Sequence, residues 1–126
     1  MSPGSILTNT SLINDSGVVA SFYYNRSPIS HGYLRATDGT ITVFDPKGSV
    51  DTFVYGLNNK GVISGCYIDS GGKLHGFIRS PTGRFTSYDY PKAPDTYGRS
   101  INYANTTIGW YGNTSSGPAH GFIRRK

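Results

Sequence analysis

His75-Gly76-Phe77-Ile78-Arg79 is the stretch on which the fold turns. The same pattern stands at His31-Gly32-Tyr33-Leu34-Arg35 and at His120-Gly121-Phe122-Ile123-Arg124, at intervals of 44 and 45 residues. A pattern recurring at that period marks a chain built from repeated supersecondary units. Side chains alternate across a strand, so within each copy the histidine, the aromatic ring and the arginine share one face.

The repeat extends outward from the motif in both directions. Upstream, Leu12-Ile13-Asn14-Asp15-Ser16-Gly17-Val18-Val19 aligns with Gly56-Leu57-Asn58-Asn59-Lys60-Gly61-Val62-Ile63 and more loosely with Ser100-Ile101-Asn102-Tyr103-Ala104-Asn105-Thr106-Thr107-Ile108. Asn14, Asn58 and Asn102 each open a short turn closed by Gly17, Gly61 or Asn105, residue types that tolerate the left-handed backbone. Downstream, the stretches 40–44 and 84–88 read as strands that stop at Asp45-Pro46 and Asp89-Tyr90-Pro91, where proline ends the ladder. Each unit thus offers four strands: a first near 6–13, 50–57 and 97–101; a second near 18–24, 62–68 and 106–111; a third at the motif; and a fourth. The units span residues 4–47, 48–91 and 92–126 of a single 126-residue domain, and the third lacks its fourth strand.

Composition agrees. Seventeen glycines and ten tyrosines, with aromatics at 13%, favour strands and turns over helices. The expected class is all-β, with three repeats of about four antiparallel strands arranged as β-propeller-like blades; a β-trefoil, also three four-stranded units, is the alternative. Three blades do not enclose a channel, whereas two chains supply six, so a homodimer closing a six-bladed ring is expected.

The unit resembles the bacterial extracellular repeats named for their His-Ala-Phe tripeptide. The resemblance is carried by the Ile-Asn turn, the Gly-x-Ile second strand, the Asp-x-x-Gly loop, the motif histidine and aromatic, and the Asp-x-Pro stop. Here glycine replaces alanine in all three copies. The resemblance implies a four-stranded propeller blade and an extracellular or periplasmic setting, and it implies no defined reaction. Met1-Ser2-Pro3-Gly4-Ser5 shows no basic region followed by an apolar core, so no signal peptide is visible in the chain itself.

A formal net charge of +5 is spread along the chain, with only Arg124-Arg125-Lys126 forming a run, which is too diffuse for a nucleic-acid signature. No apolar run reaches the length of a membrane helix. The lone Cys66 sits in an apolar strand pattern and reads as a small buried hydrophobe, excluding an intrachain disulfide.

The repeated positions also carry the side chains able to do chemistry. If the third and fourth strands pair with Arg35 opposite Ile41 and Arg79 opposite Phe85, His31 falls opposite Asp45 and His75 opposite Asp89. These pairs read as structural locks made of charge-assisted hydrogen bonds. His120 has no such partner within its unit. Three histidines at one position also raise a shared metal site, but in separate blades they stand too far apart, so no cofactor or metal is expected. The binding candidates are Trp110, Tyr103 and Tyr90, whose rings could stack on sugars or grip a peptide, and Arg35, Arg79 and Arg124, which could meet an anionic ligand or pack on aromatic faces. The function expected is a non-catalytic module recognising a glycan, peptide or protein partner. The alternative is a small hydrolase or metal-dependent enzyme using a His–Asp pair, although no Gly-x-Ser-x-Gly nucleophile turn is present.

Overall fold

A computed structural model describes residues 7–8, 12–25, 29–112 and 119–125. Among them there is no helix, and twelve strands fall into three antiparallel sheets that follow the repeat. The first sheet holds β1 (Leu7–Thr8), β2 (Leu12–Ile13), β3 (Val19–Tyr24), β4 (Ser30–Arg35) and β5 (Ile41–Phe44). The second holds β6 (Ser49–Leu57), β7 (Ile63–Asp69), β8 (Leu74–Arg79) and β9 (Phe85–Tyr88). The third holds β10 (Asp95–Ile101), β11 (Thr107–Gly112) and β12 (Ala119–Arg124).

Within the second and third sheets spatial order is sequence order, β6-β7-β8-β9 and β10-β11-β12. The first differs only at its start, where β1 and β2 each pair with β3. The single first strand expected near 6–13 is therefore described as two short pieces. Each unit keeps its strands in a sheet of its own, unlike a trefoil, whose units share one barrel. Arg35 pairs with Ile41 and Arg79 with Phe85, so in the first two units the third and fourth strands have the register that places the motif histidine beside the aspartate after the fourth strand.

The sheets pack in series. Strand β6 lies against β3 and β4 of the first sheet, and β10 lies against β6, β7 and β8 of the second. Between the first two sheets sit Ala20, Phe22, Phe44, Val54, Ile63, Tyr67 and Phe77, all buried. Edge-to-face and tilted ring pairs such as Phe22–Phe53 at 5.4 Å and Phe77–Phe85 at 5.9 Å fill this layer.

The turns carry a ladder of their own. Asn14 Oδ1 accepts from Ser16 N and Val18 N, and Asn58 Oδ1 accepts likewise from Lys60 N and Val62 N, which fixes each turn. The amides then reach forward by one repeat: Asn14 Nδ2 donates to Asn58 O at 3.1 Å, and Asn58 Nδ2 to Asn102 O at 2.9 Å. Asn105, at φ 64°, closes the third turn in the place that Gly17 and Gly61 hold in the others.

Candidate functional site

The strand register brings His31 and Asp45 together, Nδ1 to Oδ2 at 2.8 Å, and His75 and Asp89, Nδ1 to Oδ1 at 2.7 Å. The second ring nitrogen is engaged as well. Asn25 Nδ2 donates to His31 Nε2 at 2.9 Å, which leaves the His31 proton on Nδ1 facing Asp45. In the second unit aspartate stands at the corresponding position, and Asp69 Oδ2 lies 2.8 Å from His75 Nε2. His75 thus bridges two carboxylates through its two ring nitrogens. The hydrogen bond from His75 is the largest cause holding the Asp69 carboxyl below its ordinary range, followed by the backbone N–H of Lys73. A tyrosine backs each ring from the neighbouring strand: Tyr23 on His31 at 5.6 Å, Tyr67 on His75 at 5.0 Å and Tyr111 on His120 at 5.3 Å.

This arrangement locks strands. A general base needs a free ring nitrogen within reach of a nucleophile, and in His31 and His75 both nitrogens are already taken. Among the described residues no cluster of three or more His, Cys, Asp or Glu is placed to hold a metal ion. Burial pushes the Cys66 thiol up to about 12, so it stays a thiol at neutral pH.

The lock extends into the next unit through residues that sequence reading passed over. Thr52 Oγ1 donates to Asp45 Oδ1 at 2.7 Å, and Asp51 Oδ1 accepts from Ser30 N at 2.8 Å. One repeat later, Asp95 Oδ1 accepts from Leu74 N at 2.9 Å, and Thr96 Oγ1 accepts from Tyr90 N at 2.8 Å. The Asp-Thr pair in the first strand of the second and third units therefore holds the third strand and the fourth-strand exit of the preceding unit. Its signal in the sequence is the recurrence of Asp51-Thr52 as Asp95-Thr96.

The six binding candidates do not gather at one place. Arg79 is buried, with its guanidinium 5.0 Å above the Phe44 ring, so it packs between sheets and is withdrawn from any anionic ligand. Burial lowers its pKa from the ordinary arginine value. Arg124 repeats the contact one unit on, 4.8 Å above Tyr88, whereas Arg35 is exposed. Tyr103 is 66% exposed and carries Lys60 Nζ over its ring at 4.5 Å. Trp110 is half-buried, stacked on Tyr97 at 4.9 Å, with the Arg99 guanidinium 5.1 Å away.

Two places have the shape of a site. One is a groove of about 490 Å³ between β2, β3, β6 and β10, lined by Leu12, Phe22, Tyr24, Phe53, Tyr55 and Arg99, with the Arg99 guanidinium 4.0 Å above Tyr55. The other is a hollow of about 190 Å³ where Tyr90 and Arg124 meet Tyr88, Asp89 and Phe122. Tyr90 lies flat on Tyr111 there, with ring centres 3.6 Å apart and planes 2° from parallel. No family model, no curated protein and no solved structure matches the chain.

Proposed function

We propose that the protein is a non-catalytic interaction module, its three sheets acting as propeller-type blades and a second copy completing a six-bladed ring. One observation carries this reading. The faces of the first two sheets that bear Gly32 and Gly76 are each covered by the following unit, while among the described residues no unit covers the equivalent face of the third sheet. Ile108 there is 49% exposed and Ile123 59%. Opposite it in the series, the outer face of the first sheet leaves Ile41 and Val43 exposed. In the second unit the counterpart of Ile41, Phe85, packs on Phe44 of the preceding sheet. The two open faces are thus the two halves of the interface that the chain already builds twice within itself, and a head-to-tail contact joins them.

The ligand class that fits the remaining surface is a glycan or peptide. The groove of Tyr24, Phe53, Tyr55 and Arg99 offers flat rings for stacking and one guanidinium for hydrogen bonds. Light scattering tests the ring: the expected mass is twice the 13.6 kDa of one chain. Ile123→Asp, which places a charge on the exposed face without touching the core, is expected to give one-chain mass with an unchanged circular dichroism spectrum. One-chain mass for the parent protein at tens of micromolar and above sinks the ring. A glycan array with the parent protein then separates sugar from peptide as ligand.

A further inference from the structure

In the first two units the third strand is paired on its outer side by a fourth: β4 by β5 and β8 by β9. Among the described residues nothing pairs with the outer side of β12. A bare edge alone says only that backbone donors and acceptors are available. Three further features sit along this one, and each corresponds to a group that the fourth strand delivers in the other units.

The first is the motif glycine. Phe44 pairs with Gly32 and Tyr88 with Gly76, and in both cases the ring lies over the glycine so closely that a methyl group there would fall within it. Gly121 is exposed, and a Cβ built on it meets only the Gly109 carbonyl oxygen at 3.9 Å. A shallow hollow lined by Ile108, Gly109, Gly121 and Ile123 occupies the place where the ring would lie. The second is on the opposite face. Phe85, at the start of β9, packs against Phe44 and Phe77. The corresponding space beside Tyr88 and Phe122 is the hollow of about 190 Å³. A cavity of about 150 Å³ lined by apolar side chains already accepts benzene. The third is His120, which has no hydrogen-bond or ion-pair partner among the described residues, where His31 and His75 each hold an aspartate on Nδ1.

We propose that the outer edge of β12 is the docking site for an extended segment of a partner polypeptide reading apolar-Thr-x-aromatic-Asp, laid antiparallel to β12. In the register of the other two units its apolar residue faces Arg124 and fills the hollow beside Phe122. Its aromatic ring covers Gly121, and its aspartate accepts a hydrogen bond from His120. The chemistry of the segment is read from Ile41-Thr42-Val43-Phe44-Asp45 and Phe85-Thr86-Ser87-Tyr88-Asp89. Both of these stretches are already paired within their own sheets, so neither is free in a second copy, and the occupant proposed is a segment of another polypeptide. Main-chain pairing supplies the affinity and the two hollows the specificity, as in other strand-addition complexes.

The proposal rests on the interaction-module reading, since it names the peptide such a module would take, but its readout is separate. The test titrates the full chain with a synthetic octapeptide, Arg-Phe-Thr-Ser-Tyr-Asp-Tyr-Pro, the sequence of residues 84–91. Calorimetry is expected to saturate at one peptide per chain, and hydrogen exchange to slow at the amides of 119–124. Replacing the peptide aspartate by asparagine is expected to weaken binding about tenfold, and His120→Gln to do the same, the two losses not adding. Gly121→Leu, which fills the ring seat, is expected to abolish binding while the circular dichroism spectrum stays that of the parent. Any of three results overturns the proposal: equal binding of a scrambled peptide, slowed exchange confined to another strand edge, or no saturation at millimolar peptide. Outward-pointing amides of β12, those not donated to β11, that are already protected in a peptide-free dimer also overturn it, because a second copy then holds the edge. One-chain mass with a saturating peptide refutes the ring and leaves the edge; two-chain mass without peptide binding does the reverse.

Discussion

Gly76 and Gly121 hold the same place in the repeated motif and differ in what lies over them. At Gly76 the Tyr88 ring occupies the space of a side chain, and at Gly121 that space is open. Gly76→Ala is therefore expected to cost about 1–3 kcal/mol through overpacking, and Gly121→Ala to stay within about 0.5 kcal/mol, by chemical denaturation of each variant. Equal losses at both positions would refute the packing account. The motif was legible in the sequence as a repeat, and so was the pairing of its histidine with an aspartate. The reason for glycine was not, because it depends on a ring brought from the next strand. A second residue-scale expectation concerns Asp69. Its carboxyl titrates below the ordinary value near 4 because of His75, so the folded state gains stability above the unfolded carboxyl pKa and loses it as pH falls through the depressed folded value. Asp69→Asn places at this position the asparagine that the first unit has there, and it is expected to flatten the fall in Tm as pH drops below the ordinary carboxylate range. Parallel Tm–pH curves for parent and variant would remove Asp69 from the acid transition.

At the scale of the element, turns and strand ends do more than reverse the chain. Asn58 accepts two backbone N–H bonds through Oδ1 and donates through Nδ2 to Asn102 O and Asn105 Oδ1, from a buried position. Asn102 is exposed, and its side chain accepts from Thr106 N. Asn58→Ala is expected to cost about 2 kcal/mol or more, because it strands the buried Val62 N–H, and Asn102→Ala less than about 1 kcal/mol. Urea midpoints at unchanged m-value measure both, and a reversed order would show that the ladder does not couple the units. The turn role of these asparagines was legible from Asn and Gly spacing. Their forward reach was not, since a 44-residue separation says nothing about which amide finds which carbonyl. Asp51-Thr52 was missed for a related reason: both residues sit inside an ordinary strand pattern, and their partners, Ser30 and Asp45, belong to the unit before.

For the whole molecule, the decisive property is that one interface is used twice inside the chain, with both of its halves left over at the ends of the series. If a second copy uses them, stability depends on protein concentration. Tm is then expected to rise as concentration is raised a hundredfold, and Ile123→Asp to remove that dependence. A concentration-independent Tm for the parent would count against the ring. All-β class and threefold repetition were legible from the sequence, because glycine, tyrosine and the 44-residue period are global signals. The scattering of the binding candidates was not: Arg79 and Arg35 hold the same place in the repeated motif, and only the sheet in front of Arg79 buries it.

The hydrogen bonds from Thr52 to Asp45 and from Ser30 to Asp51 mean that the folding module and the sequence repeat have different borders. A piece cut at residue 47 carries every residue of the first repeat yet gives up the strand that fastens it, while one cut after Leu57 keeps it. Shuffling or transplanting these units in engineered arrays must therefore place the joints after the first strand of the following repeat, so that each graft travels with its own clasp.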